Sequence, residues 1–284
     1  MTNRLLLNRL RRKGAFNRLM IERLSEPLHM NILAAFVALA GNFENRVAYD
    51  LVFRQYTAFC MLDAARRAKL EGLSKLCAVE FGVASGAGLL NMVHVAEQVK
   101  KATGVQFHIY GFDTTEGLPP ARDYRDHPEL YAEGDYVMPS RDALIAKLPD
   151  FAHLVVGPIA ETIVKFRDSI LCPAAPLGYV SLDVDYYFSS VDALPVFEGN
   201  SSCYLPFVNM YLDDIHDPHH MPMAGELLAV REFNARVPMR QAFPYTALRE
   251  KRLFKRAAWI SKIYAMHVLD HPKRSGITKR NFTK

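Results

Sequence analysis

From Leu76 onward the chain alternates short apolar runs with helix-length segments, and this alternation constrains the fold more than any other feature. Apolar runs of that length read as buried strands, and strands separated by helical segments of about 10–15 residues lie parallel in one sheet. The strands fall at Cys77–Gly82, Phe107–Phe112, His153–Val156, Tyr179–Leu182 and Phe207–Leu212, with a last one within Trp259–Leu269. Helices fall at Leu89–Thr103, Arg141–Lys147 and Gly225–Arg236. The expectation is an α/β, Rossmann-like sheet with helices on both faces. Residues 1–76 read differently. Leu5, Leu6, Leu10, Leu19, Met20 and Leu24 recur at helical spacing, a second run starts at Ile32, and a third spans Tyr49 to Leu70. The division expected is a helical N-terminal extension or lid over 1–76 and an α/β domain over 77–284.

A chain of 284 residues, half of them hydrophobic, can bury a large core without disulfides or a structural metal. Cys60, Cys77, Cys172 and Cys203 are widely spaced and form no CxxC pair, so they read as reduced thiols. The longest apolar run, Ile32 to Leu39, is far below the ~20 residues of a spanning helix. No transmembrane segment is expected, and the expected location is cytoplasmic. The Arg-rich start resembles an organelle presequence, but Glu22 and Glu26 follow soon after and argue against a removable signal. The net charge of +5 is unevenly spread: residues 1–26 carry +5 and residues 249–284 carry +9, which leaves the body at −9. Basic ends of this kind meet phosphate, anionic membrane or an acidic protein face.

Ligands of an open α/β sheet bind beyond the carboxyl ends of its strands. Here those ends carry Gly82-Val83-Ala84-Ser85-Gly86, Asp113, Gly157, Asp183 with Asp185, and Asp213 with Asp214. Glycines let a backbone approach a ligand closely, and the helix N-terminus beyond them favours an anionic group. The NAD fingerprint GxGxxG fails, because Ala84 and Ala87 stand at its second and third small positions. Asp113, about thirty residues downstream at the end of the second strand, suits a ribose with both hydroxyls free. A long Pro-bearing excursion over Gly117–Pro139 exceeds an ordinary βα connection and reads as a lid or substrate loop.

These residues resemble class I S-adenosylmethionine-dependent methyltransferases. Glu80-x-Gly82-x-x-x-Gly86 looks like their first motif and Asp113 like their ribose-binding acid. The sequence is most similar to the macrocin-type (sugar) O-methyltransferase family. The likeness runs through Tyr110-Gly111-Phe112-Asp113-Thr114-Thr115-Glu116-Gly117-Leu118-Pro119, Gly157-x-x-x-Glu161-Thr162, Leu182-Asp183-Val184-Asp185-Tyr186-Tyr187-x-Ser189-Ser190, and Asp213-Asp214. It covers roughly residues 77–235. The resemblance implies an S-adenosylmethionine site at Glu80, Gly82, Gly86 and Asp113, and the same strand exits add Ala84, Ser85, Thr114 and Gly157. It also implies magnesium held by Asp183, Asp213 and Asp214, with Asp183 a candidate base as well. Thr115 replaces a more usual aromatic, and Glu198-Gly199-Asn200 stands where the family has paired glycines. Neither Ala121–Met138 nor the N-terminal third is covered, so these motifs do not carry the identity of the acceptor.

Converging carboxylates repel one another, and magnesium resolves this with hard oxygen ligands while keeping positions for water or substrate oxygens. His216-Asp217-Pro218-His219-His220 fits no standard zinc spacing; His216 is kept as a second candidate base or substrate contact on a cleft-rim loop. Tyr186 and Tyr187 read as residues that pack or line the substrate side, and His267 and His271 as structural ones. The functional expectation is a magnesium-assisted O-methyltransferase acting on a hydroxyl of a small glycosylated or polyhydroxylated molecule. The alternatives are a non-catalytic module that binds S-adenosylmethionine and an NAD-type oxidoreductase. A small-molecule acceptor is the expected partner, with self-association through the N-terminal helices; nucleic acid is disfavoured because the basic ends lie outside the motif-bearing region.

Overall fold

The computed structural model describes residues 21–216 and 219–274. The amphipathic run from Leu5 to Met20 lies outside them. Strands β1 (Lys75–Phe81), β2 (Gln106–Asp113), β3 (Ala152–Val156), β4 (Leu177–Leu182), β5 (Tyr204–Leu212), β6 (Arg240–Pro244) and β7 (Ile263–Val268) form one seven-stranded sheet in the order β3-β2-β1-β4-β5-β7-β6. The first five pair parallel, whereas β7 runs antiparallel to both β5 and β6. The helices are α1 (Leu28–Ala40), α2 (Phe43–Ala48), α3 (Gln55–Leu70), α4 (Ala87–Thr103), α5 (Arg141–Ile145), α6 (Ile159–Ser169), α7 (Tyr187–Ala193), α8 (Gly225–Arg236) and α9 (Leu248–Lys251). This is a Rossmann-like doubly wound sheet whose strand order reverses between β1 and β4, the switch point at which such sheets bind ligands.

The sheet is parallel because each central strand is apolar on both faces. All six residues of β4 are buried, as are six of the seven in β1. Phe81, Phe112 and Phe166 interlock between sheet and helix, with ring centroids 5.0 and 5.1 Å apart. Each such buried ring contributes about 1.5–3 kcal/mol. Strand β6 was not foreseen. Five residues closed by Pro244 carry little strand signal, and Pro fits because this strand forms the sheet edge. Helices α6 and α7 likewise lie outside the helices expected from the sequence.

One hydrophobic core runs from Val47 to Val268, so position 76 does not separate two cores. Helix α3 lies on β1, β4 and β5 through Met61 and through Ala58, Cys60, Ala64, Ala65 and Ala68, whose small side chains permit close packing. The residues around α2 are then tied to the C-terminal segment. Buried Arg252 pairs with Asp50 and donates to the Val47 carbonyl at 2.7 Å and that of Ala48 at 3.1 Å. The Trp259 indole N–H reaches the other Asp50 oxygen at 3.4 Å.

Removing one member of a buried ion pair leaves the other charge uncompensated, which costs about 3–5 kcal/mol. Arg252→Ala is therefore expected to lower the urea midpoint by that equivalent at unchanged m-value. An unmoved midpoint would mean that the pair does not hold the N-terminal segment on the domain.

Candidate active site

The parallel ladder continues one residue past the strands and ties their exits together. Gly157 N–H donates to the Asp113 carbonyl at 3.0 Å, Gly82 to Phe112 at 3.0 Å, Asp183 to Phe81 at 3.0 Å, and Asp213 to Leu182 at 3.1 Å. Each chemistry-bearing residue thus leaves the sheet from a fixed height on the same edge. Gly82, Asp113, Asp183 and Asp213 border one cleft of about 630 Å³.

Gly82 is required at the β1 exit on two counts. Its φ is +84°, and a Cβ there would lie 1.7 Å from the Asp183 carbonyl oxygen. The turn that follows is held by Asp113, whose Oδ2 accepts from the Val83 and Ala84 N–H groups, both at 2.8 Å, while Oδ1 accepts from Thr115 at 2.6 Å. Ala84, Ser85 and Thr114 line the cleft beside it. Glu80 points under the turn, almost fully buried, with Oε2 lacking any hydrogen-bond partner. Burial pushes its carboxyl up to about 8, with Arg54 lowering and Asp113 raising it. Gly88 makes room for it, since a Cβ there would sit 1.9 Å from Glu80 Oε1.

On the other side of the switch point, Asp183, Asp213 and Asp214 bring three carboxylate oxygens within 4.8 Å of one another. Burial, then Asp213 and Asp214, push Asp183 well above the carboxylate range. Asp214 is raised to about 6 by burial and by Asp213, and its Oδ2 is buried without a partner. At Asp213 burial works the same way but is outweighed by Lys262 and the Tyr211 hydroxyl, leaving it below its ordinary value. Lys262 Nζ sits 2.9 Å from Asp213 Oδ1 and also bonds its carbonyl. Beneath them Glu226, fully buried on the first turn of α8, accepts the Asp214 N–H at 3.2 Å and is held well above its usual value by burial. Asp185 lines the same cleft outside the three-oxygen group, raised to about 8 by burial and the neighbouring carboxylates.

The excursion closes over this acidic floor. Fully buried Asp126 pins it, accepting N–H groups from Arg122 at 2.9 Å and from Phe188 on α7 at 3.1 Å. Arg125 stacks over Tyr187 and Phe188, with centroid distances of 4.6 and 4.7 Å. The Tyr131 hydroxyl then donates to Asp214 Oδ1 at 3.0 Å, and Tyr136, Leu118 and Pro119 form the rest of this wall. From the opposite side Arg54, at the start of α3, enters the cleft and donates to the Tyr56 hydroxyl at 2.9 Å. The Tyr56 ring stacks on Tyr211 at 3.7 Å, which in turn donates to Asp213. Arg54 forms no ion pair among the described residues. Arg54, Ala84, Tyr136 and Asp185 all have left-handed backbone with φ between 47° and 64°. Such conformations cost non-glycine residues of order 1–3 kcal/mol each and gather at functional sites.

Glu80, Gly82, Ala84, Ser85, Asp113, Thr114, Asp183, Asp213 and Asp214 are therefore brought together. Three expected residues stand elsewhere. Gly86, at φ +80°, caps α4 and packs toward Leu144, and Gly157 closes β3 near Thr162. His216 is exposed, its Nε2 2.6 Å from Ser261 Oγ, and does not line the cleft. Its proximity to Asp213 in sequence misled because the chain turns outward after β5. Arg54, Tyr56, Lys262 and Glu226 were missed, since each belongs to an element that no local pattern linked to the cleft, and Tyr131 and Tyr136 lie in the expected substrate loop without a motif that singles them out.

No protein-family model matches the chain, and no curated protein sequence matches it. Among solved structures it is similar to the O-methyltransferase NovP, at 15% identity and TM-score 0.49, over 75% of this chain and 79% of that one. It is also similar to CalS11, the TDP-rhamnose 3'-O-methyltransferase of calicheamicin biosynthesis, at 16% identity and TM-score 0.42, over 85% of this chain and 94% of that one.

Proposed function

We propose that the protein is an S-adenosylmethionine-dependent, magnesium-assisted O-methyltransferase acting on a hydroxyl of a small polyhydroxylated or glycosylated molecule. The observation that carries this reading is the sharing of one cleft by the glycine turn with Asp113 and by the Asp183, Asp213, Asp214 group.

The residues present fit both groups. Three carboxylates crowded together, one with a buried oxygen lacking a partner, are the hard-oxygen donor set of a magnesium site. Glu80, with its unpartnered oxygen, and Arg54, without an ion pair among the described residues, match the ammonium and carboxylate of an amino-acid end. When bound, S-adenosylmethionine supplies an electrophilic methyl group and the cation supplies Lewis acidity toward the acceptor oxygen. The remaining work belongs to the chain. Asp113 and the glycine turn hold the nucleoside end, and Tyr131 and Tyr136 wall the acceptor side. We give the proton-accepting role to Asp185 rather than to Asp183, because Asp183 belongs to the metal-ligand group. Asp185 lines the same cleft beside that group, so its carboxylate, with the neighbouring acids' charge neutralised by a bound cation, can take the proton leaving the acceptor hydroxyl. Holding two reactants in near-attack geometry can contribute ~7–11 kcal/mol to a rate enhancement.

Calorimetry on the intact protein should detect S-adenosylhomocysteine binding, weakened about 10- to 150-fold by Asp113→Ala, the equivalent of one charge-assisted hydrogen bond. Absence of binding to the folded protein would end the cofactor assignment. Asp213→Asn, or EDTA, should abolish transfer while leaving that affinity nearly unchanged, and full turnover in EDTA would exclude the magnesium role.

Glu80 and Asp185 have folded values near 8, above their unfolded values of about 4, so the folded state binds more protons in between. Stability of the metal-free protein should therefore fall as pH rises from about 5 to 8. Magnesium should restore it at pH 8, by about 2–4 °C in melting temperature per kcal/mol of binding. Asp214→Asn should raise the metal-free melting temperature at pH 8 and remove the magnesium response. A metal-free protein that melts highest at pH 8 would contradict this.

A further inference from the structure

Helix α1 has the sequence LHMNILAAFVALA, with no charged side chain, and buries only Ala34. Leu28, Ile32, Phe36 and Leu39 are 76%, 51%, 66% and 84% exposed, and Leu24 just before them is 74% exposed. A helix that is apolar around most of its circumference ordinarily lies inside protein or lipid, and an exposed patch of this kind marks a contact surface. Thirteen residues reach about 20 Å, short of the ~30 Å hydrocarbon core, so this helix cannot cross a bilayer.

The root of α1 meets the basic C-terminal segment of the chain. The Glu26 carboxylate accepts the Arg256 N–H at 2.8 Å and that of Glu22 accepts the Ala258 N–H at 3.3 Å. Arg23 lies 4.2 Å over the Phe254 ring. The adjoining C-terminal segment presents Arg249, Lys251, Lys255 and Arg256, all exposed, with exposed Leu253 among them. Residues 1–20, outside the described structure, carry six further basic residues among leucines and no acidic one. Among the described residues the C-terminal segment thus sets a basic rim at the root of one apolar helix, with Lys255 paired to Glu250 at 3.0 Å.

We propose that this face docks the protein peripherally on an anionic phospholipid surface, with α1 lying in the interface and the basic rim against the headgroups. Charge selects this occupant. A second copy of the chain joined through α1 would bring the two basic rims together, whereas an anionic bilayer complements both features, with about 1 kcal/mol per Lys or Arg near the surface. An apolar insertion plus a basic patch is the two-signal combination that gives stable yet reversible attachment. The inference is independent of the proposed chemistry, because neither α1 nor the rim lines the cleft.

The test is sedimentation of the full-length protein with phosphatidylcholine vesicles, with and without phosphatidylglycerol. Binding is expected only when phosphatidylglycerol is present and should decline with salt. Arg256→Glu and Lys255→Glu should each weaken it on the order of fivefold or more, and Ile32→Glu with Phe36→Glu by at least about tenfold. These exposed positions should leave the melting temperature unchanged, which separates lost docking from lost folding. The proposal is overturned by no partition at low salt, or by partition indifferent to Phe36→Glu. A concentration-dependent dimer that Phe36→Glu dissociates, in a protein that ignores vesicles, would overturn it in favour of a second copy. Vesicle binding seen only after deletion of residues 1–20 would overturn it in favour of that segment as the cover.

Discussion

Peptide hydrogen bonds that outlast the strands organise this molecule. Asp113, Gly82, Asp183 and Asp213 leave four adjacent strands on one edge, and each exit is tied to its neighbour by a backbone bond of 3.0 or 3.1 Å. The ladder survives at the switch point only because residue 82 lacks a side chain, since any Cβ would collide with the Asp183 carbonyl. Backbone geometry thereby places the glycine turn and the carboxylates in one cleft before any side chain contributes.

That placement has an electrostatic cost which the surrounding structure partly offsets. Buried acids on one sheet edge raise one another's proton affinity, and Asp183, Asp185, Asp214, Glu80 and Glu226 all show it. Counter-charge arrives from outside the central strands: Lys262 just before β7, and Arg54 at the head of α3. The Tyr56–Tyr211 stack and the Tyr131 hydroxyl tie the two flanks of the cleft to the same acids. The reversed strand β7 and the N-terminal helix α3 are therefore part of the site as well as of the scaffold.

Most of the central sheet was legible because strands buried on both faces are predominantly apolar, as β1, β4 and β5 are, with Glu80, Ser181 and Asn209 their buried polar exceptions. The strand-exit acids were legible for a related reason: a charged residue closing such a run can only stand at its end. Strand β6 was not, because an edge strand buries one face at most and carries little pattern. His216 illustrates the opposite error. It follows the acids closely in sequence, yet sequence proximity fixes no direction once a strand has ended, and the chain carries it out to Ser261.

The sequence by itself determined a parallel α/β sheet, the glycine turn, and the order in which acids close its strands, because hydrophobic period and glycine placement act over short distances along the chain. Only the tertiary structure decided which charges face those acids, how the 121–138 excursion is pinned by Asp126, and that the basic C-terminal segment meets the root of α1. Those outcomes depend on contacts between residues tens to hundreds of positions apart, such as Glu26 with Arg256 and Tyr131 with Asp214. No local propensity encodes such contacts; they arise when packing the shared core brings distant segments together.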